Sequence, residues 1–439
     1  MSKIITDKKR IDEVLTRGVA EVIVKDELRK KLASGKRLRI YCGFDPSAPS
    51  LHIGNAILLN KLSQFQALGH EVIFLIGDFT GTIGDPTDKL AVRKRLTRAQ
   101  VLANAKNFKK QASAYLKFSG ANPAKVMYNS AWHDKLTFKD LIKLSTHFTV
   151  QRMMERDMFQ ERLKEQFRCK KCNHIFFMKR DLSEKYDLNP NLAQCDNCKA
   201  SANDIEMVKK DKPIYLHEFL YPLAQAYDSV AMNVDLEIGG NDQMFNMLCG
   251  RKLMKALGKK DKSVLMMELL VDDEGKKMGK TTGNALFLDT PAADMYGIVM
   301  SWSDKAIEPA WELATKEPLE AIKKLAKTKP RDAKMKLALA ITALVHGVKA
   351  AQAAEARFVQ TVQKKETPIK IKKISVTKNE TLLAVAAKYF GAAKSKSDLR
   401  RLFEQGAVEV NGVKVKNFNQ AAKSGETIKV GKKDWFKVS

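Results

Sequence analysis

His52, Gly54 and Asn55 in IYCGFDPSAPSLHIGN (40–55) stand where a strand ends in glycine and a helix begins. A helix N-terminus presents free N–H groups and the positive end of its dipole, so it favours phosphate. Gly54 permits close approach of a nucleotide, while His52 and Asn55 can hydrogen-bond phosphate or ribose. Further on, KKMGKTTGN (276–284) spaces Lys277 and Lys280 three apart in a Gly/Thr loop, a cationic clamp suited to pyrophosphate. It does not fit G-x-x-x-x-G-K-[ST], which disfavours a P-loop. In LYPLAQAYD (220–228), Tyr221, Gln225 and Asp228 fall at i, i+4 and i+7 of a helix. They form one polar line among apolar neighbours, which suits a small polar ligand. IGGNDQ (238–243) follows closely. Taken singly, these signals have plainer readings: a helix cap, a solvated basic loop and a buried polar network.

A fourth pattern belongs to metal chemistry. Cys169-x2-Cys172-x22-Cys195-x2-Cys198 has the spacing of two knuckles that offer four thiolates to a tetrahedral Zn2+. Four cysteines complete the shell and leave no open position, so the expected metal is structural. His174 is an alternative ligand, and ordinary thiols are the alternative to a metal site. Lys170, Lys171, Lys179 and Arg180 leave open an RNA contact or a solvated surface. Cys249, in an apolar helix, reads as core.

These residues need a scaffold. The apolar runs 38–44 (LRIYCGF) and 71–77 (EVIFLIG) read as buried strands. Helical apolar spacing fills 52–68 between them, interrupted at Asn60, and strand–helix–strand is the unit of a parallel sheet. Amphipathic helices are expected at 97–118 and 139–164, and further strands at 234–239 and 264–271. From Thr290 to about Val362 the chain turns rich in Ala, Leu, Lys and Glu, and reads as helical. The lysine-rich KKETPIKIKK (364–373) reads as a linker. Beyond it, helices at 382–390 and 396–405 precede the alternating VEVNGVKV (408–415), whose Asn411-Gly412 predicts a hairpin turn.

Composition narrows the class of protein. The 78 Lys+Arg and 50 Asp+Glu give a formal net charge of +28, which suggests a polyanion partner such as nucleic acid. With 44% hydrophobic residues, a largely disordered chain is excluded. No apolar run approaches the roughly 18 residues that cross a bilayer as a helix, so no membrane partner is expected. Six cysteines in so long a chain do not make a secreted disulfide scaffold. The opening MSKIITDKKRIDEV lacks the apolar stretch of a signal peptide, and the expected location is cytoplasmic.

In combination the motifs resemble the class I aminoacyl-tRNA synthetases, and within them the bacterial-type tyrosyl-tRNA synthetases. LHIGN is similar to that class's His-Ile-Gly-His signature, and KMGKT to its Lys-Met-Ser-Lys-Ser signature. YCGFDPSAPSLHIG, IGDFTGTIGDP (76–86), YPLAQAYD and IGGNDQ resemble the tyrosyl enzymes in particular. The resemblance covers about 1–360 apart from the four-cysteine insert, and residues 375–439 resemble an S-four-like RNA-binding domain. It implies an α/β chain: a Rossmann-like catalytic domain at 1–285 carrying the insert at 167–211, an α-helical anticodon-binding domain at 286–363, a linker at 364–374, and a small α+β RNA-binding domain at 375–439. The implied reaction joins L-tyrosine to ATP, releases pyrophosphate, and passes tyrosine to the 3′-terminal adenosine of tRNA(Tyr).

The resemblance also implies roles by position. Ser47 and His52 would hold the leaving phosphates, and Lys277 and Lys280 would close over the pyrophosphate. Asn55 stands where the signature has its second histidine, while Gly279 and Thr281 replace two serines. Cys42, Gly43, Asp45, Gly54, Gly240 and Asp242 would face ATP. Tyr41 and Asp228 would bind the phenolic hydroxyl; Asp85, Tyr221 and Gln225 the α-ammonium; Gln243 the neighbourhood of the carboxylate. Mg2+ would accompany ATP, though no carboxylate cluster for it is visible. Lys394, Lys396, Arg400 and Arg401 would form a phosphate-facing surface for tRNA, a solvated basic face being the alternative. A homodimer bridged by tRNA is implied. An RNA-binding paralogue without charging activity and an enzyme for another amino acid are the competing readings. The lysines and Gln225 argue against the first, and Tyr41 with Asp228 against the second.

Overall fold

A computed structural model describes residues 3–87, 95–179, 194–195, 197–209, 213–272, 274–275, 277–278, 285–363, 372–377, 379–431 and 434–439. Two compact units result: Met1–Thr290 with Trp302–Ala333, and Pro291–Ser301 with Lys334–Ser439. Residues 302–333 therefore group with the first unit, beyond the expected boundary at 285/286.

The strands of the first unit are β1 (Val19–Ile23), β2 (Arg39–Phe44), β3 (Glu71–Ile76), β4 (Lys125–Tyr128), β5 (Lys164–Cys169), β6 (Ile175–Lys179), β7 (Ile205–Lys209), β8 (Leu236–Gly240) and β9 (Ser263–Met267). Six of them form one sheet in the order β1-β9-β8-β2-β3-β4. All neighbours are parallel except β1, which runs antiparallel to β9. Strands β3, β8 and β9 are almost wholly buried, as apolar strands covered on both faces must be. The helix Ile53–Ala67 joins β2 to β3 and buries Ala56, Ile57, Leu59, Leu62 and Phe65.

Asn60, which interrupts the apolar pattern of that helix, is buried with the rest. Its amide donates to the carbonyls of Leu313 and Thr315, closing the end of the helix Ile307–Ala314. From β2 the chain moves to β3 on one side, while β8 lies on the other. Such a reversal opens a crevice at the carboxyl ends of the two strands, where α/β sheets bind ligands.

Two expected helices are subdivided. The segment 97–118 forms Arg98–Ala105 and Phe108–Ala112, and 139–164 forms Phe138–Ser145, Val150–Met154 and Asp157–Leu163. At the second site the Thr149 side chain accepts the backbone N–H of Arg152, so a new helix starts there instead of the old one continuing. Strands β6-β5-β7 form a separate three-stranded sheet around the cysteines.

In the second unit, the helices Ala292–Met300 and Val348–Phe358 pack together, with the Tyr296 and Phe358 rings 5.4 Å apart. Its sheet comprises β10 (Lys372–Ile374), β11 (Val408–Val410), β12 (Val413–Lys414), β13 (Thr427–Val430) and β14 (Asp434–Val438), ordered β10-β14-β13-β11-β12. Lys372–Ile374, counted with the linker on sequence, are thus a strand, parallel to β14. The helices Leu382–Phe390 and Lys396–Glu404 cover this sheet through Leu382, Val385, Leu399 and Phe403, all fully buried. Asn411 (φ 50°) and Gly412 (φ 83°) turn the β11–β12 hairpin in the left-handed region, the conformation this residue pair favours.

Candidate active site

A cavity of 860 Å³ opens at the carboxyl ends of β2 and β8. From β2 and its loop, Tyr41, Cys42, Gly43, Asp45 and Ser47 line it. His52, Gly54 and Asn55 enter from the first turn of the Ile53–Ala67 helix, and Asp85 from beyond β3. Tyr221, Gln225 and Asp228 come from the helix Leu216–Met232, and Gly240, Asp242, Gln243 and Lys277 from the far wall. Every described residue expected to meet ATP or tyrosine therefore faces one space. Lys280, Gly279 and Thr281 lie outside the described residues.

The cavity is graded from closed to open: Tyr41 and Asp228 are 1% and 3% exposed, whereas the Lys277 side chain is 37% exposed. At the closed end, Asp228 accepts hydrogen bonds from Trp132 Nε1 (2.7 Å), His133 Nε2 (2.8 Å) and Asn129 Nδ2 (3.3 Å). Burial pushes its pKa up, and these three donors oppose that shift. The Tyr41 hydroxyl lies 2.9 Å from Ser229 Oγ. Burial, then the neighbouring Glu237 and Asp228, pushes the Tyr41 phenol well above its usual pKa, so it stays protonated. Gln225 donates to Glu237 Oε1 at 3.0 Å, while its own Oε1 is buried without a partner. A buried unsatisfied acceptor inside a pocket is an invitation to a cation or N–H donor.

Toward the mouth, His52 caps the Ile53–Ala67 helix by accepting the Gly54 N–H on Nδ1 at 3.1 Å, which leaves the neutral ring's proton on Nε2. Asn55 Oδ1 accepts the His52 N–H at 3.0 Å, so the amide that replaces the second histidine keeps its NH2 group as a donor. Asp45 accepts from Tyr221 Oη at 2.9 Å and Thr80 Oγ1 at 2.7 Å. Gly77 is required here, because a Cβ would sit 1.9 Å from Asp45 Oδ1. Asp85 accepts from Gln243 Nε2 and from Thr87 Oγ1, each at 2.7 Å. Lys277 forms an ion pair with Asp242.

The sequence matches the family described as tRNA synthetases class I (W and Y) over residues 33–181 and 178–363. It is 39% identical to the tyrosine–tRNA ligase of Colwellia psychrerythraea, covering 99% of both chains. The chain belongs to the tyrosyl-tRNA synthetase family. The tyrosine–tRNA ligase of Thermotoga maritima is 35% identical over 97% of this chain and 96% of its own. Among solved structures, the mitochondrial tyrosyl-tRNA synthetase of Aspergillus nidulans, truncated at its C-terminus, superposes with a TM-score of 0.60 at 21% identity. It covers 81% of this chain and 94% of its own, a likeness of fold.

Sequence motifs of the tyrosyl-tRNA synthetase family point to the cavity's walls but not to what holds them. Asn129, Trp132, His133, Thr80, Ser229 and Glu237 went unread. Thr80 lies within IGDFTGTIGDP, and Ser229 and Glu237 directly abut YPLAQAYD and IGGNDQ, but nothing in those motifs singles them out. Asn129, Trp132 and His133 come from a distant segment whose one signal is the local NSAWH (129–133) cluster of polar and aromatic residues.

In the insert, the four cysteine Sγ atoms lie within 4.8 Å of one another, with Cys169–Cys198 at 3.5 Å and Cys172–Cys195 at 3.6 Å. Tetrahedral Zn–S bonds of about 2.3 Å place sulfurs roughly 3.8 Å apart, so the set fits zinc. The two knuckles repeat one backbone pattern. Cys169 N–H bonds His174 O while Asn173 N–H bonds Cys169 O; Cys195 N–H bonds Ala200 O while Lys199 N–H bonds Cys195 O. Asn173 and Lys199 both take φ 56°. The His174 ring stacks on Phe176 at 6.3 Å.

In the last module Lys396 and Arg400 are exposed one turn apart on the Lys396–Glu404 helix. Lys394 lies over the Phe390 ring and Arg400 over the Phe418 ring, while Arg401 pairs with Asp398 at 2.8 Å.

Proposed function

We propose that this chain is a tyrosine–tRNA ligase in which the closed end of the cavity holds the substrate side chain and the mouth holds ATP. What carries the reading is the convergence on one graded cavity of all the described residues expected to meet ATP or tyrosine. The substrate phenol would sit between Tyr41 and Asp228, and its α-ammonium against Gln225 Oε1, Tyr221 and Asp85. The substrate's carboxylate is already a nucleophile, so no general base is needed. Catalysis then rests on alignment and on charge stabilisation at the phosphates. His52 Nε2–H, Ser47 and the helix N-terminus would meet that charge, with Lys277 and Lys280 over the pyrophosphate. The ribose would take Asp242, now held by Lys277, and Cys42, Gly43, Asp45, Gly54 and Gly240 would line the adenosine side. Gln243 stands near the carboxylate, and Mg2+ would accompany the phosphates.

Residues 1–285 would then act as catalytic domain, 286–363 as anticodon-binding domain and 375–439 as RNA-binding domain. The exposed Phe138 (77%), Ile142 (52%) and Val150 (70%) favour a homodimer, since exposed apolar side chains grouped on neighbouring helices mark interfaces. Structural zinc would hold the insert. The test is ATP–pyrophosphate exchange with purified protein, followed by charging of total tRNA. Exchange should depend on tyrosine and be far weaker with phenylalanine or tryptophan. The absence of tyrosine-dependent exchange would overturn the reading.

A further inference from the structure

Behind the closed end of the cavity lies a second layer of polar groups that the reaction does not require. Lys262, just before β9, is fully buried, and its ammonium pairs with Glu237 and donates to Ser229 Oγ at 2.9 Å. Space is kept for it: a Cβ at Gly250 would lie 2.5 Å from the Lys262 nitrogen. A buried ion pair gains little stability over well-packed apolar residues, so its presence beside a ligand pocket asks for another reason.

The reason follows from counting protons. An ammonium only donates, so Ser229 Oγ must accept from Lys262. Ser229 then has one proton to give, either to Tyr41 Oη at 2.9 Å or to Glu237 Oε2 at 3.4 Å, an oxygen that already serves Lys262. The shorter contact takes it. Tyr41, accepting from Ser229, keeps its own proton, and because Glu237, its other side-chain partner, is already neutralised by Lys262, a ligand in the cavity can draw that proton to itself. Across the cavity, Asp228 is a carboxylate already served by Trp132, His133 and Asn129, and it can only accept. A group seated between Tyr41 and Asp228 must therefore accept from the first and donate to the second. A protonated phenol does both. A phenyl ring does neither, a phenyl ether cannot donate, and a phenolate cannot give Asp228 a proton.

We propose that Lys262 and Ser229 are positioning residues that fix the direction of hydrogen bonding through Tyr41, so that the pocket selects a protonated phenol. This rests on the reading that Tyr41 and Asp228 face the substrate hydroxyl. Ser229→Ala removes the relay with the least change in volume. Lys262→Met combined with Glu237→Gln removes it without stranding a buried charge. In the full-length protein, each should raise the tyrosine KM in pyrophosphate exchange by about tenfold, the worth of one buried hydrogen bond of fixed direction. The ATP KM should hold, and the tyrosine-to-phenylalanine ratio of kcat/KM should fall by a similar factor. Ring-fluorinated tyrosines supply a second readout: wild-type use of each should decline as pH passes its phenol pKa, and Ser229→Ala should blunt that decline. An unchanged tyrosine-to-phenylalanine ratio in Ser229→Ala would overturn the relay, because a purely structural role moves both substrates together. Wild-type protein without tyrosine-dependent exchange would instead overturn the reading beneath it.

Discussion

Asp228 has its carboxylate fixed by three donors before any ligand arrives, so it acts as a pre-aimed acceptor with little to reorganise. Asp228→Ala should lower kcat/KM for tyrosine by about a hundredfold while the ATP KM holds, since a charge-assisted hydrogen bond is lost only to the phenol. Pyrophosphate exchange titrated in each substrate checks this, and equal losses for both would refute the role. A second residue makes a prediction about stability alone. His70 is fully buried, accepts the Leu38 N–H on Nδ1 at 3.3 Å, and leaves Nε2 without a partner. Burial lowers its pKa to about 4. The unfolded chain, with a histidine pKa near 6.5, takes up a proton that the folded state refuses. Stability should therefore be full above about pH 6.5 and fall by roughly 2–3 kcal/mol as pH drops toward 4. Denaturant unfolding at pH 7 and 4.5 should show that loss in the wild type and a smaller one in His70→Asn; equal pH slopes would sink the assignment. Asp228 was readable because LYPLAQAYD puts it on a line with Tyr221 and Gln225. Its donors, and Lys262, were not, because a hydrogen bond between different elements, whether 25 or nearly 100 residues apart, leaves no period in the sequence.

At the scale of elements, legibility followed burial. Strands β2 and β3 and the helix between them fell within a residue or two of expectation, because a strand covered on both faces leaves an unbroken apolar run. The antiparallel edge strand β1 is half-buried, with Glu21 exposed at its centre, and carried no such run. The hairpin at Asn411-Gly412 was legible for a local reason, since the pair dictates its own backbone angles. The insert was legible as ligand spacing only; that β5, β6 and β7 form a sheet around the cysteines was not. Its core is small: Phe167, Cys169, Phe176, Cys195 and Ala200 are the buried members of its cluster. So small a cluster is a weak basis for independent stability, and the metal should supply the rest. Purified protein should carry about one zinc per chain, its one four-thiolate site filled. Removing zinc with a chelator should open 164–209 to protease while tyrosine-dependent exchange persists. Metal analysis below about half an equivalent, or protease resistance unchanged by chelation, would count against a structural site.

The whole chain carries +28, and little of that excess is spent at the cavity, where Lys277 already has Asp242 beside it. Residues 375–439 hold 13 basic and 6 acidic side chains, a net +7 in a small module with its own buried core. Lys396 and Arg400 stand exposed one helical turn apart, a spacing that suits neighbouring phosphates, whereas Arg401 is partly neutralised by Asp398. Amino-acid activation needs no tRNA and transfer does, so this surface should separate the two half-reactions. In Lys396→Glu/Arg400→Glu, tyrosine-dependent pyrophosphate exchange should match the wild type, while the KM for tRNA in charging rises by about tenfold or more. Each phosphate contact adds roughly 0.7–0.9 to the slope of log affinity against log salt, so the variant should also lose about 1.5 from that slope. A variant that charges tRNA with wild-type KM and wild-type salt dependence would show that these two cations merely face solvent. One that loses exchange along with charging would show damage reaching the catalytic unit. Only loss of charging with an undiminished exchange rate and a shallower salt slope assigns this part of the charge to tRNA.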